Sequence, residues 1–304
     1  MPPDRTPGQH TGTGVDHLSS MVNEAWKSGV LLAILASFTF SIMNALVKEA
    51  SATLPASEIG FFRGVIGSVL VYLLMLREKV SFSNQDVPML LIRGLLGALY
   101  LVCYFFSIAH IPLADASILA HMSPVFIILI SAVFLRERVA TPIWLLLGVV
   151  IIGAALIVRP FSYSTYSMYA AIGLLGAFFA GGAHVAIRQL SARHHAYEIV
   201  FYFLSIAALV SIPLMWTDFV WPTSEREWIC LITLGVVSLL GQLFLTKAFT
   251  HESAAIVAVT RYIGIVFNVA WGWLFWSESI GTLTIAGGCL IVAACILLSR
   301  LKGA

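Results

Sequence analysis

Along the 304 residues, long apolar runs alternate with short polar or Pro/Gly-containing breaks. Ten such runs can be read, near 29–48, 57–76, 88–109, 113–135, 142–159, 168–187, 197–216, 228–249, 253–275 and 281–300. A helix of about 20 apolar residues, rising 1.5 Å per residue, crosses the hydrocarbon core of a bilayer. The pattern therefore predicts an all-α polytopic membrane protein, ten transmembrane helices joined by short loops. The opening stretch 1–26 breaks this pattern. It is polar, rich in Gly, Pro and Thr, and lacks the apolar centre of a signal peptide, so a disordered cytoplasmic tail is expected there.

Composition agrees. Hydrophobic residues make up 60% of the chain and charged residues 11%, too little charge to cover a soluble domain of this length. The net charge of +2 is too small to suggest a nucleic-acid partner. Its distribution is more informative, because Lys and Arg are retained on the cytoplasmic side. With the N-terminus inside, the inner flanks hold eleven of the seventeen Lys and Arg, and the outer flanks hold Lys48, Arg159 and Arg226. Arg63, Arg93 and Arg261 fall within spans. Both termini are thus expected in the cytoplasm, with the lipid bilayer of an inner membrane as the surrounding partner. The four cysteines sit in apolar runs without metal-type spacing and read as packing residues.

The runs also repeat. SPVFIILISAVFLRERVATPIWLLLGVVIIGAALIV (123–158) and IGIVFNVAWGWLFWSESIGTLTIAGGCLIVAACILL (263–298) share a long apolar helix, a polar corner centred on a Glu, and a Gly/Ala-rich apolar helix. Glu137 matches Glu278 and Thr141 matches Thr282, both at an offset of 141. Two repeats follow, 27–160 with helices 1–5 and 161–304 with helices 6–10. Five is odd, so the second repeat would cross the membrane in the opposite sense. Inverted repeats serve secondary transporters, which hold a small-molecule substrate near the midplane between the halves. No HExxH pair or GxSxG elbow supports an enzyme, and no nucleotide-binding motif supports direct ATP drive. No cofactor is expected.

Four stretches are distinctive: ALVKEASATLPASEIGFFRGVIG (45–67), RGLLGALYLVCYFFSIAHIPLADASILAHMSPVF (93–126), FLRERV (134–139) and RYIGIVFNVAWGWLFWSES (261–279). On these the chain resembles the drug/metabolite transporter superfamily, of the kind with two EamA-type repeats. The resemblance spans roughly residues 29–300. It implies ten helices around a central cavity that opens alternately to each side, and carriage of small organic metabolites. Members move amino acids, nucleosides, vitamins such as riboflavin, S-adenosylmethionine and opine-type metal chelators.

Polar residues inside the runs are the candidates for cargo contact, because ionised groups persist there only when paired or facing a wet cavity. Arg261 lies about 12 Å into the ninth span, counted at 1.5 Å per residue. No Asp or Glu is placed near the midplane; Asp115, Glu58 and Glu198 come nearest. Arg261 therefore either binds a carboxylate or phosphate of the cargo through its bidentate fork, or bonds groups such as Gln242 or Asn268 and only fixes packing. His121 is a second candidate, for cargo or proton contact. Pro124 removes a helical hydrogen bond nearby and is the candidate gating position. Tyr100 and Tyr104, an i,i+4 pair, together with Tyr262 and Trp271, offer flat faces suited to an organic ring or amine. Asn44, His184 and Gln242 are further polar candidates for a cavity wall. Arg63 either reaches the cavity mouth or snorkels or pairs with Glu58 or Glu49, and Arg93 reads as an anchor on the cytoplasmic side. ARHHAYE (192–198) carries His194, His195 and Glu198 at ligand-like spacing but reads as a solvated turn, and no metal site is expected.

The expected protein is a secondary carrier moving a small polar metabolite with an anionic group across the inner membrane by alternating access. Export is favoured slightly over uptake by family habit. The alternatives are an uptake carrier for a vitamin or nucleoside-like metabolite, an exporter of an opine-type metal chelator, a channel, or an intramembrane enzyme. Oligomeric state is open, a homodimer included.

Overall fold

A computed structural model describes residues 29–123, 125–126, 130, 141–158, 165–216, 218–252, 257 and 260–302. Ten helices lie among them: α1 Gly29–Ala50, α2 Ala56–Arg77, α3 Val87–His110, α4 Leu113–Ala120, α5 Thr141–Val158, α6 Thr165–Leu190, α7 Ala196–Met215, α8 Glu225–His251, α9 Ile263–Trp276 and α10 Thr282–Lys302. Six of them, α1, α2, α3, α6, α7 and α8, are long and apolar enough to cross a membrane by themselves. The starts follow local chemistry. Pro55 and Pro112 stand in extended conformations immediately before α2 and α4. At α8, Ser224 and Glu227 close a capping box, each side chain accepting from the other's backbone N–H. Large apolar side chains such as Leu145, Ile151, Leu209, Val266 and Trp273 stand on the outside of the bundle. An outer surface of that kind suits hydrocarbon and would be untenable in water.

The two halves pack as copies. Helix α3 packs on α6 as α8 packs on α1; α3 packs on α7 as α8 on α2; α4 packs on α6 as α9 on α1. The remaining principal contacts, α2–α7, α4–α9 and α5–α10, join each helix to its own counterpart. These are the pairings that a two-fold operation requires. At the α2–α7 seam, Gly60 approaches Ser211, Gly64 approaches Ala208 and Leu204, and Ser205 Oγ donates to Ser68 Oγ at 3.1 Å. As one number rises the other falls, so the two helices run antiparallel and the pseudo-axis lies across them.

The structure also shows where the first parts of the repeats correspond. Helices α1 and α6 end at residues 50 and 190, and α2 and α7 begin at 56 and 196. The shared offset of 140 superposes SATLPASEIGFFRG (51–64) on SARHHAYEIVFYFL (191–204). Glu58 and Glu198 then play the same part. Each is buried in the first turn of its helix and accepts a backbone N–H from the opposite half, Val220 N at 3.0 Å and Ser83 N at 2.7 Å.

Two sequence expectations need correction. The fourth and ninth spans are not continuous helices. Helix α4 stops at Ala120, with His121 and Met122 in a turn, and α9 begins only after the turn at Arg261–Tyr262. Periodicity cannot register such a break, because the residues at both turns lie in apolar surroundings. Pro124 and Glu137 lie outside the described residues. The second correction concerns the turn at 192–198. His194 and Glu198 are buried, with His194 Nδ1 2.9 Å from Glu198 Oε2. They form an internal pair and not a solvated face, and no three-ligand metal cluster occurs among the described residues.

The Gly-rich helices approach closely, as small residues permit. At the α5–α10 crossing, a Cβ on Gly287 would stand 2.5 Å from Gly153 O, and one on Gly153 would stand 2.8 Å from Gly287 O. Gly287→Val should force the crossing apart at a cost of about 1–3 kcal/mol. Thermal unfolding of the purified protein in detergent, read by fluorescence, should show a clear drop in Tm; an unchanged Tm would mean the crossing is not tight.

Candidate functional site

The helices surround a central cavity. Its wall includes Ser37, Phe40 and Asn44 of α1, Arg63 of α2, Arg93, Tyr100 and Tyr104 of α3, and His121. The other half supplies His184 of α6, Phe203 of α7, Gln242 of α8, Arg261, and Asn268 of α9. Three arginines thus meet here, and no carboxylate is among the lining residues. The acids nearest mid-depth are already committed: Glu58 and Glu198 to the backbone contacts above, and Asp115 to the Tyr166 hydroxyl.

The two helix breaks meet at this cavity. His121 and Tyr262 occupy equivalent positions in the repeats and grip each other's turn. Tyr262 Oη donates to His121 O at 3.2 Å, and His121 Nε2 lies 3.0 Å from Arg261 O. His121 Nδ1 faces a second carbonyl, Ser117 O, at 2.7 Å. Carbonyl oxygens only accept, so a neutral ring can donate to one of them and an imidazolium to both. Beside this seam runs a polar chain. Asn44 Nδ2 donates to Tyr104 Oη at 3.0 Å and to Asn268 Oδ1 at 3.2 Å, and Asn268 Nδ2 donates to Ser117 Oγ at 2.9 Å. Tyr100 stacks on Tyr104 with ring centroids 5.4 Å apart.

Arg261 bonds neither Gln242 nor Asn268. Its Nη1 lies 3.0 Å from His184 Nε2. A guanidinium only donates, so His184 accepts there and carries its proton on Nδ1. That bond orients Arg261 without neutralising it. Gln242 lines the cavity with its buried Oε1 unbonded.

Of the nine residues named as candidates for cargo contact or the cavity wall, the structure brings seven to the cavity: Arg261, His121, Tyr100, Tyr104, Gln242, Asn44 and His184. Tyr262 stands behind them, holding the His121 turn. Trp271 lies off the cavity, where its Nε1 donates to Ser41 Oγ at 3.0 Å. Of the alternatives for Arg63 the structure has the cavity, and the expectation that Arg93 is an end anchor is corrected. The two arginines are 1% and 3% exposed and reach the cavity, neither snorkelling nor anchoring at an end. Glu49 pairs with Arg226 instead. Counting residues from a helix end hid this, because a long side chain directed into the bundle adds several ångströms of depth. The signal available was Gly97, four residues after Arg93 and on the same helix face.

At one end of the bundle, Glu278 ties three elements together. It pairs with Lys48 at the end of α1 and accepts Leu113 N, at the start of α4, at 2.9 Å. Lys48 Nζ also donates to Ile111 O at 3.1 Å.

The model of the EamA-like transporter family matches this chain twice, over residues 27–159 and 167–300. The chain belongs to this family. Among its EamA relatives is the pseudopaline exporter CntI of Pseudomonas aeruginosa strain UCBPP-PA14, 71% identical over 282 residues, covering 93% of this chain and 99% of that one. A riboflavin transporter of Vibrio cholerae is 26% identical over 251 residues, covering 81% of this chain and 84% of that one. A solved crystal structure aligns with a TM-score of 0.62 at 21% identity, covering 91% of this chain and 99% of that one, and supports the fold alone. This EamA chain is therefore a multi-pass membrane transporter of a small molecule and not an enzyme.

The clasp between the breaks can be tested separately from cargo. Tyr262→Phe removes one hydrogen bond and should cost about 1 kcal/mol, whereas His121→Ala should cost more because it also strands buried carbonyls. Ranking the two variants by Tm in detergent checks the order; a His121→Ala protein as stable as Tyr262→Phe would contradict it.

Proposed function

We propose that this protein exports an opine-type, metal-chelating metabolite, chemically close to pseudopaline, from the cytoplasm across the inner membrane. The observation that carries the reading is the 71% identity to the pseudopaline exporter over nearly the whole of both chains. The cavity supports it. Opine-type molecules are secondary amines flanked by carboxylates, and the wall offers guanidinium groups with no carboxylate among the lining residues. Arg261 is the carboxylate anchor in this reading, with His184 orienting its fork and the Tyr100–Tyr104 pair giving an aromatic wall. His121, Asn44 and Gln242 supply further polar contacts.

Ten spans in two inverted repeats, with both termini cytoplasmic, complete the proposal. Antiparallel packing of α2 on α7 and the Lys/Arg bias both favour it. Alternating access would then rock one half against the other about the seam where the breaks of α4 and α9 meet. A vitamin carrier is the second reading, favoured by riboflavin transporters at 25% and 26% identity. The cationic wall fits it less well than it fits a polycarboxylate.

Cells that synthesise the opine, with and without this transporter, distinguish the readings by the ratio of extracellular to intracellular opine. Export should depend on the transporter. Arg261→Ala and Arg261→Lys should lower it by about tenfold or more, as expected when a charged hydrogen-bond partner or its bidentate geometry is lost. Export by both variants at the wild-type rate, with equal protein in the membrane, would remove the anchor role. Transporter-dependent riboflavin accumulation without opine export would move the assignment to the second reading.

A further inference from the structure

Arg63 and Arg93 have no place in the account of Arg261. They share a different neighbour, the ring of Phe203. The guanidinium carbon of Arg63 stands 5.3 Å from the Phe203 centroid and that of Arg93 stands 4.4 Å from it; Arg63 also lies 5.8 Å from the Phe105 ring. In each arginine, Nε and Nη1 are fully buried and have no hydrogen-bond partner. A cation–π contact offsets only part of the cost of burying an ion, and each unpaired N–H adds to that cost. The ring therefore positions these cations without answering their charge or their donors.

Space has been left for them. A Cβ on Gly97 would stand 2.2 Å from Arg93 Nη1 and 2.6 Å from Phe203 Cδ2, so a bare backbone at 97 lets the guanidinium lie between α3 and the ring. Arginines that serve only to join helices generally spend their N–H groups on helix carbonyls or carboxylates. These two keep the donors of a planar fork unspent at the wall of a cavity.

We propose that Arg63 and Arg93 form a second anion subsite, apart from Arg261–His184, which takes another carboxylate of the same cargo against the face of Phe203. The cavity then selects molecules carrying at least two carboxylates over those carrying one. This rests on the central cavity being the cargo site, as in the preceding subsection.

The test uses full-length protein in detergent and two secondary-amine probes, N-(1-carboxyethyl)glutamate with three carboxylates and N-propylalanine with one. Affinities are measured calorimetrically at fixed ionic strength. Wild type should prefer the tricarboxylate by about tenfold or more, the usual effect of hydrogen bonds to a charged group. Arg63→Gln and Arg93→Gln should each erode that preference, while Arg261→Gln weakens both probes. Arg63→Lys and Arg93→Lys keep the charge without the fork and provide folded comparators, with monodispersity on size exclusion as the control. If the Arg63 and Arg93 variants keep the wild-type preference, or weaken both probes equally, the subsite is overturned. Opine export and its Arg261 dependence are then untouched. A wild type that binds neither probe also overturns the subsite, and the export assay decides the cargo on its own. A preference that depends on Arg63 and Arg93 in a protein that does not export the opine would keep the subsite and discard that cargo.

Discussion

A guanidinium group cannot rest in hydrocarbon, and this bundle directs three of them to one place. That constraint organises the structure around it. The arginines come from α2, from the start of α3 and from the break before α9, so the helices must enclose a polar interior. Among the described residues, the acids nearest the bundle interior are engaged elsewhere: Glu58 and Glu198 at backbone N–H groups, Asp115 at a tyrosine, Glu278 at Lys48. A protein built only for stability would gain by pairing such charges or replacing them with apolar groups of similar volume.

The fold is symmetric and its chemistry is not. The repeats place Arg63 opposite Phe203, Asn44 opposite His184 and His121 opposite Tyr262. Two of these pairs also touch across the pseudo-axis, Arg63 on the Phe203 ring and His121 with Tyr262. Residues that differ leave a cation on one half lying against an aromatic face on the other.

Much of this could be read from the chain before its structure. Run length and the Glu137–Glu278 match gave helices, repeats and their likeness to transporters, because hydropathy and corner spacing survive divergence. Arg261 stood out since nothing near it in sequence could pair with it. Other features were hidden for physical reasons. The breaks at 121 and 261 interrupt hydrogen bonding, which composition does not record. Arg63 and Arg93 depended on side-chain direction, invisible to a count of residues from the helix end. Trp271 was equally ambiguous: on one helix with the seam residues, it faces Ser41 rather than the cavity. The burial of His194 arises from Glu198 and the adjoining Asp86, whose contact is tertiary.

At residue 261 the main chain and the side chain serve different masters. The carbonyl is grasped by His121, and the neighbouring tyrosine grasps the His121 carbonyl in return. Neither grip involves the side chain at 261, which meets His184 at the cavity wall instead. A different side chain at this position would therefore leave both grips in place. Peptide groups are common to every residue, so a seam held through them does not depend on which side chain stands at 261.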